Sequence, residues 1–163
     1  MLNASQLLSV AAQLAEPPVR GAPQQARLRK GISAAYYALF HRLVAGATDL
    51  LVGANARGSQ RYSIVYRSFE HRRMAEVCRQ VHSGRARAED GDIFDARIRE
   101  CANAFVELQE NRHEADYEPS RRISLFDAKA AVSKARDAIS TLENSPEDQR
   151  MLFLTPLHFK PRA

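Results

Sequence analysis

QQARLRKGISAAYYALFHRLVAGATDLLV, residues 24–52, is the stretch that decides the fold. Leu28, Ile32, Ala35, Leu39, Leu43 and Leu50 recur at i, i+4, i+7, i+11, i+15 and i+22, an unbroken apolar stripe at helical period. Arg29, Ser33, Tyr37 and His41 stand four apart and form a polar and aromatic stripe beside it. A helix this long, apolar along one face, is stable only where other elements of the same chain cover that face.

The flanking segments supply them. Leu7, Leu8, Ala11, Leu14 and Ala15 keep helical spacing after Asn3, a capping residue, and Pro17-Pro18 stops the run; residues 17–23 read as a Pro/Gly linker. After a loop from Gly53 to Gly58, a basic helix is expected over 59–81, broken near Ser68, with Val65, Phe69, Met74, Val77, Cys78 and Val81 inward. Asp92 to Tyr117 is the next helix, with Phe94, Ile98, Cys101, Phe105 and Leu108 at alternating four- and three-residue steps and Arg112 next on that seam. Ser124 and Asp127 make a capping box for a helix that buries Leu125, Ala128, Val132, Ala135, Ile139 and Leu142. Ser145 as cap and Pro146 at the first position open a short last helix to about Leu154. The chain therefore reads as all-α, with residues 1–145 as the main body. Residues 146–163 form a short extra helix and an apolar tail, which packs back on the first helix and the one opened by Ser124, or on a partner.

Composition narrows the function. With 163 residues and 45% apolar side chains there is one core's worth of material. No apolar run is long enough to span a bilayer, and residues 1–18 lack a basic start and a continuous apolar middle, so a cytoplasmic protein without a secretory signal is expected. Cys78 and Cys101 show no metal-ligand spacing and read as free thiols. The net charge of +5 is uneven: residues 18–82 carry eleven Lys/Arg against three acids, and 89–119 carry ten acids against three arginines. Arginine is the better fork for phosphate, so Arg72, Arg73 and Arg79, on the most basic helix, are candidates for a nucleic-acid face; solvated surface charge is the plain alternative. No G-x-S-x-G, Walker A or G-x-G-x-x-G occurs. Glu110-x-x-His113 is half of a di-iron motif whose second half is missing; His71, His82 and His158 have no ligand spacing and read as surface or packing residues. No metal and no cofactor is expected.

The end of the fourth long segment is the densest chemistry in the chain. Arg112 and Asp116, four apart, share a helix face, and an arginine that continues an apolar seam is desolvated and needs an anionic partner. A structural ion pair and a ligand site both fit that pattern.

Two stretches resemble the HEPN family (higher eukaryotes and prokaryotes nucleotide-binding). RKGISAAYYALFH, residues 29–41, is similar to the second helix of such domains, and RHEADY, residues 112–117, to the Arg-x-x-Ala-Asp-Tyr ending of a later helix in one branch. The resemblance covers roughly residues 3–145. It implies an up-and-down bundle of four to five helices, usually a homodimer that binds RNA, a nucleotide or a cognate protein encoded nearby, in bacterial toxin–antitoxin, defence or stress systems. The implied binding site is Ser33, Tyr37, His41, Arg112, Asp116 and Tyr117, facing one another across the two helices. The family's ribonucleases place a histidine after Arg and four to six residues; here those positions are Tyr117, Glu118 and Pro119. A phenol is a poor proton carrier near neutral pH, which favours a binding protein over an enzyme. One alternative is a metal-independent endoribonuclease with Arg112 and either His113 or His41 as catalytic residues. The other is a protein-interaction module that docks through residues 146–159.

Overall fold

A computed structural model describes residues 3–17, 20, 23–88 and 91–159. All regular elements among them are helical: α1 (Ala4–Leu14), α2 (Gln24–Val52), α3 (Gln60–Arg67), α4 (His71–His82), α5 (Ala96–Tyr117), α6 (Leu125–Glu143) and α7 (Glu147–Leu154), with short 3-10 turns after α2 and α7. Most of the linker expected over 17–23 and the last four residues of the tail lie outside the described residues. None of the described helices is long and apolar enough to cross a membrane.

α2 is the element the others cover. Its buried face contains Leu28, Ile32, Ala35, Leu39 and Leu43 and ends at Ala47 and Thr48; Leu50, expected in the stripe, lies past that end and is 39% exposed. α1, α5, α6 and α7 all pack on α2, α6 also packs on α5, and α4 reaches the core through α5. Close approach is bought by small residues at two points. A Cβ on Gly31 would lie 3.3 Å from Leu14 Cβ of α1, and one on Gly46 would lie 3.1 Å from Leu154 Cδ1 of α7.

Local signals set most boundaries. Asn3 caps α1 by accepting from Ser5 N, and Ser124 and Asp127 form the capping box of α6. Residues 68–70 separate α3 from α4; the Ser68 hydroxyl donates to Val65 O (2.7 Å), which closes the last turn of α3. α5 starts at Ala96 and not at Asp92. Asp95 stays non-helical, its carboxylate accepts from Arg97 N (2.9 Å), and its own N–H donates to Gln149 Oε1 of α7 (2.6 Å). Ser145 is not the cap of α7: its hydroxyl turns back to Leu142 O (2.6 Å) and Pro146 stands at the cap position.

Phe153, Leu154 and Leu157 are 0%, 4% and 0% exposed, so residues 147–157 complete the core. They sit chiefly on α2, α4 and α5, not on α1 and α6. Cys78 and Cys101 are buried free thiols.

Candidate functional site

The polar stripe of α2 meets the C-terminal half of α5. At its start Arg29 reaches the end of α5 and donates to Ala115 O (2.6 Å), Glu118 O (3.2 Å) and Arg121 O, so a guanidinium satisfies the orphan carbonyls of that terminus. One turn on, the Ser33 hydroxyl, in a residue only 6% exposed, donates to Asp116 Oδ1 (2.7 Å). The other carboxylate oxygen accepts from Arg112 Nε (3.1 Å), and the two charged side chains are 18% and 20% exposed. The Arg112 guanidinium carbon lies 5.5 Å from the Tyr37 ring centre, 5.7 Å from Tyr36 and 5.8 Å from Tyr117, within cation–π range of all three. Its terminal nitrogens have no hydrogen-bond partner among the described residues.

Two residues outside the expected binding set join this cluster. Tyr36, on the apolar side of α2, is fully buried and shares a 2.5 Å hydrogen bond between its hydroxyl and His71 Nδ1. His71, the first residue of α4, stacks on Phe40 (centroids 4.0 Å apart, planes at 17°), and its carbonyl accepts from Gln109 Nε2 (3.0 Å). Burial pushes the Tyr36 phenol up despite the nearby Arg112 charge. Burial also holds the His71 imidazole below its ordinary value, and the Arg112 charge adds to that. An imidazole in this place is neutral and held by aromatic stacking, whereas sequence spacing alone gave it no role.

The remaining candidates divide. His41 is joined to the cluster through the rings of Phe40, 5.2 Å away, and Tyr37, 6.0 Å away; its Nδ1 shares a hydrogen bond with Tyr66 Oη (2.7 Å), and burial lowers its basicity. It lines a different cleft, of about 410 Å³, with Arg42, Asp49 and Arg57. Tyr117 is 63% exposed, so that side of the cluster is open to solvent, and its ring lies 5.0 Å from that of His113.

The basic helix also divides. Arg79, from the last turn of α4, and Arg112 line one cleft of about 420 Å³, together with Gln109, Glu110, His113 and Glu114. Arg72 is exposed. Arg73 is not part of an open basic face: it donates from Nε (2.9 Å) and Nη2 (2.6 Å) to Phe159 O and pairs with Glu76, leaving its side chain 14% exposed. That contact comes from the C-terminal tail, which helix spacing within 71–82 does not reveal.

Among the described residues no three His, Cys, Asp or Glu side chains gather as metal ligands. The cleft carries two guanidinium groups and two carboxylates, Glu110 and Glu114, and Asp116, tied to Ser33 of α2, holds one of the guanidinium groups. Compared with protein-family models, curated proteins and solved structures, the chain matches none.

Proposed function

We propose that this chain is an HEPN-like helical bundle that acts as a dimeric RNA- or nucleotide-binding protein and binds through the Arg79–Arg112 cleft. The observation that carries the reading is the convergence of Arg79 and Arg112, from two helices, on one cleft that also contains the His113 ring. The free terminal nitrogens of Arg112 support it: Asp116, itself tied to Ser33, engages only Nε of the guanidinium, and the terminal nitrogens are left for a phosphate oxygen. Tyr117, 63% exposed and next to Arg112, is the surface on which a base would stack. The resemblance in RKGISAAYYALFH and RHEADY points the same way and adds a cognate protein and a toxin–antitoxin, defence or stress setting.

Anisotropy titration of a labelled single-stranded RNA against the full chain tests the proposal. Binding weakens steeply as salt rises, and Arg79→Ala and Arg112→Ala each reduce both affinity and salt slope. Undetectable binding at low salt, or affinity indifferent to both changes, overturns it.

A second reading, an endoribonuclease, draws on His113, which lines the same cleft as Arg112. Loss of RNA cleavage in both His113→Ala and Arg112→Ala would establish it in place of simple binding; an intact RNA after long incubation removes it.

A further inference from the structure

Two charged groups in the Arg79–Arg112 cleft stand without partners. Arg79, from the last turn of α4, and Glu110, from α5, both line it, yet among the described residues neither makes an ion pair or a side-chain hydrogen bond. Other polar groups of the cleft are engaged: Gln109 Nε2 donates to His71 O (3.0 Å), Glu114 lies 3.5 Å from Arg121 Nε, and Arg112 Nε is taken by Asp116. Opposite charges that share a cleft without pairing suit a ligand with an anion at one end and hydrogen-bond donors at the other. A carboxylate repels phosphate, so a cleft that only collected nucleic-acid backbone would bind better without Glu110.

The order of side chains around α5 gives such a ligand its place. At ~100° per residue, Gln109 and His113 come between Arg112 and Glu110. The exposed His113 ring, with the Tyr117 ring 5.0 Å from it, is thus a stacking surface with a guanidinium on one flank and a free carboxylate on the other. A base that stacks there, with its phosphate at the guanidinium groups, turns its far edge toward Glu110. An ionised carboxylate only accepts hydrogen bonds, and its two oxygens take two parallel N–H donors. Among the four RNA bases guanine alone carries two adjacent donors, N1–H and the N2 amino group, on its Watson–Crick edge. Adenine and cytosine set one amino donor beside a ring nitrogen that accepts, and uracil sets one N–H between two carbonyls; each leaves a carboxylate oxygen facing an acceptor.

We propose that the cleft selects guanine and that Glu110 reads its Watson–Crick edge. The proposal rests on the RNA- or nucleotide-binding reading above and names the base that this site takes. It also gives the acidic residue of the cleft a use that phosphate binding by itself does not.

Anisotropy titrations of the full chain at one low salt concentration are the test, with labelled uridine oligomers that carry a single central guanosine, inosine or adenosine. The guanosine oligomer binds about tenfold tighter than the adenosine oligomer, the discrimination of a two-bond base contact at an open site. Inosine keeps N1–H, lacks the amino group and falls between them. Glu110→Gln, at an exposed position, leaves the circular dichroism spectrum unchanged. It replaces one acceptor by a donor, brings guanosine within about twofold of adenosine and does not weaken the adenosine oligomer. Undetectable binding of every oligomer overturns the RNA-binding reading and this inference together. Equal affinity for the three oligomers, inosine equal to guanosine, or a guanine preference that Glu110→Gln leaves intact overturns the inference alone.

Discussion

Asp116 is the hinge of the site, and replacing it should move stability and ligand affinity in opposite directions. Its carboxylate accepts from the Ser33 hydroxyl at 2.7 Å and from Arg112 Nε at 3.1 Å. A hydrogen bond to a charged group contributes ~1.5–3 kcal/mol. The half-shielded ion pair adds at most ~1 kcal/mol. Against this, the Ser33 hydroxyl can turn to the carbonyl four residues back in α2 and recover part of its loss. Asp116→Ala is therefore expected to cost about 2 kcal/mol, a fall in melting temperature of ~4–8 °C for a chain of this length. Ser33→Ala costs about 1 kcal/mol, and the double variant is no less stable than Asp116→Ala by more than ~0.5 kcal/mol, because both changes break one bond. The same substitution frees Arg112 from its carboxylate. RNA affinity at low salt rises, and the salt dependence steepens by about one phosphate contact. Thermal denaturation of the four proteins with parallel anisotropy titrations measures both. Strictly additive stabilities, or RNA binding weakened by Asp116→Ala, would refute the placement of Asp116 as the group that restrains Arg112.

Deleting everything after Ser145 removes Phe153, Leu154 and Leu157 from the core. At ~1.5–3 kcal/mol for each buried side chain the loss approaches the whole stability of a typical domain, so residues 1–145 alone should show no cooperative melt by circular dichroism; a sharp transition would contradict this. Stability should also fall as pH drops below the ordinary histidine value of 6.5, because burial holds His41 and His71 below it in the folded chain, with Arg112 acting further on His71. The sign follows from proton counting: the unfolded chain takes up protons first, so the contribution is complete above 6.5 and is lost as pH falls through the lowered folded values. Urea midpoints at about pH 7 and about pH 5.5 should differ less in His71→Gln than in the wild type, and equal differences would contradict the account.

The long elements were legible because each carries its own periodic signal. The α2 stripe from Leu28 to Leu43 and the α5 seam through Ile98, Cys101, Phe105 and Leu108 are buried as spacing predicts, and the interruption near Ser68 and the Ser124 box are where local chemistry puts them. The Arg112–Asp116 pair follows from a separation of four on one helix. What spacing within a helix cannot carry is the partner from elsewhere. His71 looked isolated because Phe40, Tyr36 and Gln109 come from two other helices. Arg73 looked free because Phe159, eighty-six residues away, takes its guanidinium. The start of α5 shifted because Asp95 caps it by accepting from Arg97 N, and that of α7 because the Ser145 hydroxyl turns back to Leu142 O.

The polar stripe of α2 has a consequence for how the chain is made. Four side-chain bonds from α2 reach far forward: Gln25 to Ile123, Arg29 to Ala115, Ser33 to Asp116 and Arg42 to Glu143 are 98, 86, 83 and 101 residues apart. At a synthesis rate of ~5–20 residues per second, α2 waits ~4–17 s for α5 before Ser33 meets its acceptor. During that interval α1, α3 and the start of α4 can shelter only part of its apolar side, while the hydrophilic stripe keeps the other side wetted and discourages clumping of nascent chains. Completion of the cleft thus coincides with emergence of the last third of the polypeptide, and a truncated translation product would carry Tyr36 and Tyr37 without Phe105 and Arg112 beside them.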